Sequence, residues 1–399
     1  MSGHSFHTEG VEHCPFMPVF GAPALSIERG SGTEVWDTDG KRYLDFLSGI
    51  AVTSLGHANP VIADAISRQA ATLLHVSNFF ANPPATAAAV KVNELLEQAT
   101  GHRGQLFFTN SGAESNECAL KLARKWGGRG RHTVVSAFGS FHGRTLATLA
   151  ATGQPAKHEP FAPMPDGFKH VAWGDLDAMR ASVDGSVSAV IIETIQGEGG
   201  VNPAPAGFLQ GIRDLCDEVG ALMIVDEIQT GFARTGEWFG FELDGVSPDV
   251  VTLAKAMGNG MPVGACWARD EVSAVFQPGD HGSTYSGTPL ATAAVSAVID
   301  EMRRLDAPRL ATDMGARFTE LLLELPQVDS VRGAGLLLGA QLCEGISAPD
   351  VYQALIGKGL ICNAVNASTL RFLPPLTVSE AELVEATALI NEALQEASS

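Results

Sequence analysis

The chain has 399 residues, and its 45 acidic side chains outnumber its 26 basic ones, which gives a net charge of −19. This balance argues against a nucleic-acid-binding protein, because binding phosphates needs clustered lysines and arginines. The sequence has no run of about 20 apolar residues and no charged-then-apolar segment at its start, so we expect a cytoplasmic protein that does not enter membranes.

The residue types that commonly hold metal ions are scattered along the chain. The cysteines are Cys14, Cys118, Cys216, Cys266, Cys343 and Cys362. They form no CxxC pair, which indicates reduced thiols rather than disulfides or a zinc site. His4, His7 and His13 lie near Cys14, but a chain terminus offers nothing to orient these side chains. We therefore predict that the protein has no metal site.

The first predicted element is an extended ribbon over Thr33–Phe46, and short apolar runs then recur, each followed by a turn and often by a helical pattern. The runs are Leu106–Phe108, Thr133–Val135, Ala189–Ile192, Ala221–Val225 and Val250–Ala254, and the helical stretches include Cys118–Trp126 and Phe208–Val219. Continuous apolar runs alternating with helices are typical of a mostly parallel sheet covered on both faces. We therefore predict an α/β fold.

Beyond Pro289 the pattern changes to longer helices with a few strands. These elements are helices over Leu290–Leu305, Ala311–Leu325 and Ser379–Ala397 and strand-like residues over Val331–Leu342. Ser379 and Glu382 have the spacing of a capping box at the start of the last helix. We predict a large domain over residues 47–288, a smaller α+β domain over 289–399, and an N-terminal segment, 1–46, that joins the small domain.

Three charged residues, Glu193, Asp226 and Lys255, each come directly after one of the apolar runs. In a parallel sheet, ligands bind beyond the carboxyl ends of the strands, where these side chains would meet. A poorly solvated lysine has a lowered pKa and attacks aldehydes to form a Schiff base. A carboxylate is the usual partner of the pyridinium nitrogen in pyridoxal phosphate (PLP) sites. A structural ion pair between Asp226 and Lys255 remains an equal alternative.

The loop after Leu106–Phe108 has the features of a phosphate site. Ser111 precedes a predicted helix, and Gly112 and Ala113 carry little side chain, so their backbone amides are open to an anion. Ser111 and Glu114 also have capping-box spacing, which many helices use for stability alone. Beside a lysine and an aspartate at neighbouring strand ends, this loop would supply the third anchor of a PLP site.

Two further segments carry arginines in unusual surroundings. Phe141 and Arg144 lie between glycines after a strand, so Phe141 would stack on a planar group and Arg144 would bind a carboxylate. Alternatively, Phe141 packs in the core and Arg144 pairs with one of the many acids. Arg371 stands alone in an apolar strand and needs a partner, either an acid such as Glu198 or a substrate carboxylate.

Six of these motifs occur in one order along the chain. They are Asn110–Glu114, Phe141–Thr145, Gln196–Gly200, Asp226–Gly231, Leu253–Ala256 and Gly282–Gly287. In this order they resemble the class III PLP-dependent aminotransferases over nearly the whole chain. Four further segments, Gly49–Val52, His75–Asn78, Thr152–Pro155 and Leu360–Val365, are most similar to those of acetylornithine aminotransferases. The resemblance implies the fold type I of PLP-dependent transferases, with a mostly parallel sheet in the large domain.

The resemblance implies a role for each cofactor-binding residue. Lys255 would form the Schiff base with pyridoxal 5'-phosphate, and Asp226 would keep the pyridine nitrogen protonated. Phe141 and Ile228 would cover the two ring faces, and Gln229 would approach the ring hydroxyl.

The remaining cofactor contacts implied by the resemblance concern the phosphate. Gly112 and Ala113 would bind it with their backbone amides, and Ser111 would help with its hydroxyl. Thr284 would reach the phosphate from the second subunit of a homodimer with shared active sites.

The resemblance also implies how two different substrates are held. Arg144 would bind the distant carboxylate of the amino donor. Arg371 would bind the α-carboxylate of 2-oxoglutarate, with Glu198 as a counter-ion that moves away. Glu193 belongs near this network without a distinct role.

Some positions depart from the family pattern. Thr194 stands where proline is usual, and Ala233 and Asn259 stand where glycines are common, so the loop near Lys255 is expected to differ in shape. Ile50 takes the position of a tyrosine that meets the free α-amine in ornithine aminotransferases, which favours a donor whose α-amine is acylated or missing.

The resemblance therefore implies transfer of the δ-amino group of N-acetyl-L-ornithine to 2-oxoglutarate, giving N-acetyl-L-glutamate 5-semialdehyde and L-glutamate, a step of arginine biosynthesis. The alternatives are another ω-transaminase that uses succinylornithine, ornithine or 4-aminobutyrate, and a PLP-dependent aminomutase, which needs no keto acid. A PLP-binding regulator is a further alternative, but the sequence has no helix-turn-helix pattern or basic arm.

Overall fold

The computed structural model describes residues 16–20 and 23–397. The N-terminal His4, His7, His13 and Cys14 lie outside these residues. The strands are β1 (Ile27–Ser31), β2 (Glu34–Asp37), β3 (Arg42–Asp45), β4 (Gly104–Thr109), β5 (Thr133–Ala137), β6 (Phe168–Val171), β7 (Val187–Ile192), β8 (Ile195–Gln196), β9 (Asn202–Pro203), β10 (Leu222–Asp226), β11 (Val250–Leu253), β12 (Gly264–Arg269), β13 (Val328–Ala334), β14 (Leu337–Leu342), β15 (Leu360–Ile361), β16 (Asn363–Ala364) and β17 (Thr369–Phe372).

Helices follow most of the strands. They are α1 (Ser48–Ala51), α2 (Pro60–Thr72), α3 (Pro83–Thr100), α4 (Gly112–Gly127), α5 (Leu146–Ala151), α6 (Leu176–Ser182), α7 (Phe208–Val219), α8 (Asp270–Ser273), α9 (Pro289–Leu305), α10 (Ala307–Leu323), α11 (Ala348–Lys358) and α12 (Glu380–Ala397). Within the described ranges, no helix has both the length and the apolar character that crossing a bilayer requires.

The largest sheet has seven strands in the order β4-β12-β11-β10-β7-β5-β6. Strand β12 runs antiparallel to both of its neighbours, and the other pairs are parallel. Every residue of β7 and β10 is buried, as expected for central strands with helices on both faces. The predicted α/β fold with a mostly parallel sheet is confirmed. Strands β6 and β12 were not among the predicted elements.

Three smaller sheets lie outside this one in the described part of the chain, and the smallest is the antiparallel pair of β8 and β9. The strands β13, β14, β17 and β16 form an antiparallel sheet, and β1, β2 and β3 form a second sheet that β15 joins. Strand β15 pairs in parallel with β3, with Leu360 opposite Leu44. The N-terminal ribbon is therefore bonded to a strand from the C-terminal third of the chain. The domain boundaries at residues 46/47 and 288/289 stay a prediction.

The predicted capping box at the start of α12 forms. The Ser379 hydroxyl accepts a hydrogen bond of 3.3 Å from the Glu382 amide, and the Glu382 carboxylate accepts one of 2.7 Å from the Ser379 amide. These two bonds satisfy amides at the helix start that have no partner within the helix.

Candidate active site

A cavity of about 390 Å³ lies beyond the carboxyl ends of the central strands. Among its lining residues are Ser111, Gly112, Ala113, Phe141, Arg144, Glu193, Glu198, Asp226, Ile228, Gln229 and Lys255. The sheet brings them together because β4, β7, β10 and β11 are parallel to one another and all end at the same edge. This is the location expected for a ligand site in an open α/β sheet. In the described part of the chain, no cluster of His, Cys, Asp and Glu side chains is suited to hold a metal ion.

Asp226, the last residue of β10, is 4% exposed and is held by three groups. Its Oδ2 atom accepts a hydrogen bond of 2.8 Å from the Asn116 side chain and lies 2.8 Å from Nδ1 of His142. Its Oδ1 atom accepts a bond of 3.1 Å from the Ile228 amide. These contacts stabilise a buried carboxylate and fix its orientation at the cavity wall.

Lys255 follows β11 and is half-buried, with the cavity on its open side. Burial lowers the pKa of its amine to about 8, and the nearby Arg371 contributes, whereas Glu198 and Asp226 oppose the change. Its backbone φ is +44°, a conformation that L residues seldom adopt and that is often found at functional sites. Lys255 therefore offers an amine that is half neutral at about pH 8, well below the pH at which an ordinary lysine loses its proton.

Glu193 is a second buried acid in this region. Burial, and then the negative charge of Asp226, raise the pKa of its carboxyl well above the usual value, although a bond of 3.2 Å donated by the Phe141 amide acts in the opposite direction. Two carboxyl groups in a poorly solvated cavity do not both ionise readily. Burial and the neighbouring negative charge therefore both favour the protonated form of Glu193.

The first turn of α4 faces the cavity with Gly112 and Ala113. The Ser111 hydroxyl accepts a bond of 3.3 Å from the Glu114 amide, but Glu114 bonds back to the Asn110 amide at 2.8 Å instead of to Ser111. A side chain on Gly112 would begin 2.8 Å from Cδ1 of Ile228, so the Ile228 side chain would have to shift to admit it. The start of α4 leaves backbone amides open to an anion.

Arg371, in β17, is fully buried and reaches the cavity network from the antiparallel sheet. Its guanidinium donates to Glu198 at 2.6 Å, to Gln229 at 3.3 Å and to Asn363 at 3.0 Å. Its Nη2 atom is buried without a partner. Burial alone would raise the pKa of Glu198, but the charge and hydrogen bond of Arg371, together with the charges of Lys255 and Lys157, lower that pKa. Arg371 therefore has donor capacity left for one more acceptor.

Arg144 is exposed at the cavity mouth, and its guanidinium carbon lies 5.5 Å from the centre of the Phe141 ring. A cation at this distance is attracted to the ring face. The guanidinium therefore stays near the cavity while its N–H groups remain free to bind an anion.

Besides Arg371, which contacts the lining residues Glu198 and Gln229, two predicted site residues lie outside the cavity formed by this chain. Thr284 is exposed in the Gly282–Gly287 segment, and the predicted role of Thr284 requires a second subunit. Ile50 is half-buried against an apolar group that includes Ala51 and Ile195, whereas Val52 is the residue of this segment that lines the cavity. The roles predicted for both residues stay predictions.

Several residues that hold the site's side chains in place had no role in the sequence analysis. Asn116 and His142 hold Asp226, and Asn363 orients Arg371 from the neighbouring strand β16. His142 lies within the Phe141–Thr145 motif, which was a usable signal. Asn363 lies within the Leu360–Val365 segment, which was also a usable signal, whereas Asn116 is separated from Asp226 by 110 positions.

The departures from the family pattern have structural consequences. Ala233 and Asn259 adopt φ values of +67° and +46°, the left-handed region that favours glycine. The Asn259 side chain accepts a bond of 2.7 Å from the Leu55 amide and donates one of 3.2 Å to the Gly56 carbonyl. Asparagine thus tolerates this conformation and connects the loop after Lys255 to the α1–α2 connection.

Comparisons with known proteins identify the family of this chain. The family described as Aminotransferase class-III matches residues 19–394. Acetylornithine aminotransferase of Corynebacterium efficiens is 44% identical over 387 residues, which are 95% of this chain and 94% of that protein. The acetylornithine aminotransferase of Streptomyces coelicolor is 46% identical over 377 residues, 93% of this chain and 90% of that one.

Solved structures show the same architecture. The ornithine aminotransferase of Toxoplasma gondii, crystallised in the presence of oxidised glutathione with partial occupancy of PLP at its active site, is 32% identical and superimposes with a TM-score of 0.88. The match covers 95% of this chain and 92% of that chain. The α/β architecture with its mixed sheet is the fold type I that the sequence resemblance implied. The chain belongs to the class-III aminotransferase family.

Proposed function

We propose that this aminotransferase uses pyridoxal 5'-phosphate to transfer the δ-amino group of N-acetyl-L-ornithine to 2-oxoglutarate, giving N-acetyl-L-glutamate 5-semialdehyde and L-glutamate in arginine biosynthesis. The observation that carries the proposal is that one cavity combines the Lys255 amine, the buried Asp226 carboxylate and the Glu198 carboxylate, which is paired with the buried Arg371. The names of the relatives that align over most of both chains support the choice of donor. A cytoplasmic location stays a prediction.

The residues of the cavity fit this cofactor. Lys255 would hold its aldehyde end, Asp226 its ring nitrogen, and the amides of Gly112 and Ala113 its phosphate. The gap between Phe141 and Ile228 is bordered by apolar side chains, which suits a flat ring. When bound, pyridoxal phosphate supplies an electron-withdrawing ring that acidifies the carbon next to the substrate nitrogen.

The side chains of the chain itself determine how protons move. The Asp226 carboxylate, held by Asn116 and His142, stabilises a positive charge on a neighbouring ring nitrogen. Lys255, with its pKa of about 8, both accepts and donates a proton at its Nζ near neutral pH. The same amine therefore serves the forward and the reverse half of an amino transfer.

Movement of Glu198 would let the same site bind the amino donor and then 2-oxoglutarate. With Glu198 bonded to Arg371 at 2.6 Å, the buried cation is neutralised and a donor without a carboxylate at this point is accepted. When 2-oxoglutarate enters, its α-carboxylate would bind Arg371 through the free Nη2 atom as Glu198 turns away. Binding of one substrate at a time predicts ping-pong kinetics.

We also propose a homodimer in which Thr284 reaches the cofactor phosphate of the partner. Phe79 and Phe80 are 92% and 65% exposed, and Tyr285, next to Thr284, is 61% exposed. Apolar side chains at such exposure are typical of a covered interface. Sedimentation analysis tests the proposal, and a purely monomeric active enzyme contradicts it.

A panel of amino donors tests the proposed reaction. We expect N-acetylornithine to give the highest kcat/KM among N-acetylornithine, succinylornithine, ornithine and 4-aminobutyrate, each with 2-oxoglutarate. If one of the other donors gives the highest kcat/KM, that donor is the substrate and the proposed reaction is wrong. Product formation without any keto acid would instead indicate an aminomutase.

A further inference from the structure

Lys157 is a second cation at the cavity mouth that the known motifs do not include. Its Nζ atom lies 5.6 Å from the centre of the Phe141 ring, and the Arg144 guanidinium lies 5.5 Å from the same centre. Phe141 lines the cavity. Arg144 and Lys157, called here the two-cation rim, therefore share one aromatic ring at the entrance.

The backbone holds Lys157 in this place. The Gly139 amide donates to the Gly153 carbonyl at 2.8 Å, and the Gly153 amide donates to the Ser140 hydroxyl at 2.9 Å. The Gln154 side chain donates to the Ser140 carbonyl at 2.9 Å. The short turn that carries Lys157 is thus bonded to the segment that carries Phe141. The position of Lys157 is therefore fixed by the fold.

The two-cation rim has unusual electrostatics for an acidic protein. In the part of the chain that the structure describes, no carboxylate oxygen lies within 4.0 Å of Arg144 or Lys157. Other lysines do pair, as Lys169 does with Asp184 at 3.5 Å. Partial burial, and then the positive charge of Arg144, lower the pKa of Lys157, whereas Glu198 opposes the change. An anionic or neutral substrate group is favoured here, and a third cation is disfavoured.

We propose that Lys157 is a specificity residue and that the two-cation rim selects amino donors whose α-nitrogen is acylated. The proposal rests on the proposed function. Ornithine carries a free α-ammonium beside its carboxylate, and the two neighbouring cations repel this ammonium while they attract the carboxylate. Acylation converts this ammonium into a neutral amide whose carbonyl oxygen accepts a hydrogen bond from the Lys157 ammonium. The carboxylate remains for Arg144, whose forked N–H groups match it.

The test compares two donors that differ only at this nitrogen. The kcat/KM values for N-acetylornithine and ornithine are measured with the holoenzyme at fixed 2-oxoglutarate for the wild type, Lys157→Met and Lys157→Arg. Lys169→Met is the control, because it removes an exposed lysine far from the cavity lining. Cofactor absorbance and circular dichroism verify that each variant folds and is loaded. If Lys157→Met does not fold, Lys157→Gln replaces it.

We expect Lys157→Met to lower the ratio of the N-acetylornithine to the ornithine value by about fivefold, as suits a partly exposed charge. Lys157→Arg keeps the charge and should retain most of the preference, and Lys169→Met should leave it unchanged. The KM for 2-oxoglutarate should stay the same. An unchanged ratio, or equal losses for both donors, would refute the proposal. A loss confined to 2-oxoglutarate would also refute it and would connect Lys157 with Glu198 instead.

Failure of the inference and failure of the proposed function give different results. If the wild type does not use N-acetylornithine, the proposed function is wrong. If the wild type prefers N-acetylornithine and Lys157→Met keeps that preference, only the inference about Lys157 is wrong.

Discussion

Arg371 and the two-cation rim are both suited to bind carboxylates, but they lie in opposite environments. Arg371 is 0% exposed and has three side-chain partners, one of them the carboxylate of Glu198. Arg144 is exposed, and Lys157, the other residue of the rim, is also a cation. A buried cation needs a counter-ion whenever the substrate is absent, whereas water stabilises an exposed one. The buried end can therefore switch partners, and the rim cannot.

The largest expected effect comes from removing the Lys255 amine, which both half-reactions require. Lys255→Ala should abolish turnover with every donor, because among the residues that the structure describes no other lysine lines the cavity to bind the cofactor aldehyde or to move the proton. Steady-state assays test this, and mass spectrometry after borohydride reduction should find the cofactor attached at residue 255 in the wild type alone. Appreciable turnover by the variant would refute the role of Lys255.

The positions of Asp226 and Lys255 in the active site could be predicted from the sequence. A charged residue directly after a buried apolar strand, as at Asp226 and Lys255, must lie at the sheet edge, and parallel strands bring such edges together. The alternative of a purely structural ion pair has no support, because the partners of Asp226 are Asn116 and His142 and no Asp226–Lys255 pair forms within 4.0 Å among the described residues.

Other parts were not predictable from local patterns. Strand β12 has the sequence Gly264–Arg269, in which small residues dilute the apolar signal, and its antiparallel direction depends on tertiary pairing with β4 and β11. Asn116 and Asn363 act on side chains brought close by the fold alone. Lys157 is likewise ordinary in the sequence. Only the hydrogen bonds between its turn and the Phe141 segment give it a place at the cavity.

At the buried end, Arg371→Ala should lower kcat/KM for 2-oxoglutarate by about 100-fold, as the loss of a charge-assisted, two-pronged contact implies. The value for the amino donor should fall much less, because Glu198 and not the donor occupies Arg371 in that half-reaction. Half-reactions followed by cofactor absorbance separate the two. Arg371→Lys is the control, since it keeps the charge but loses the bidentate fork. Equal losses in both half-reactions would contradict the switching role of Arg371 and Glu198.

At the rim, Arg144→Ala should show the opposite bias. We expect a loss of about 20-fold in kcat/KM for N-acetylornithine, smaller than at Arg371 because the site is exposed to water. The reaction with 2-oxoglutarate should change little. A larger effect on 2-oxoglutarate than on the donor would show that the two carboxylate sites have been assigned in the wrong order.

The pH dependence of cofactor binding reports on the buried amine. Only the neutral form of Lys255 attacks an aldehyde, and its pKa is lowered to about 8, so the neutral fraction rises about tenfold between pH 7 and pH 9 and then levels off. We expect the rate at which cofactor-free enzyme captures the cofactor to follow this curve in stopped-flow absorbance. An ordinary lysine would keep rising up to about pH 10. A rate that still increases tenfold per unit above pH 9 would show that burial does not lower this pKa.

The smallest expected effect is the dependence of substrate KM on salt, which should differ between the exposed rim and the buried Arg371. Raising ionic strength from about 0.05 M to about 0.3 M shortens the screening length from roughly 14 Å to roughly 6 Å, which weakens exposed charges more than buried ones. The KM for N-acetylornithine should therefore rise about twofold in the wild type and remain nearly constant in Arg144→Ala, which has lost the exposed contact. The ratio of the variant to the wild type cancels any general effect of the net charge of −19. The same salt dependence in both proteins would mean that the donor carboxylate is not held at the rim, and the contrast between an exposed and a buried carboxylate site would then rest on Arg371 alone.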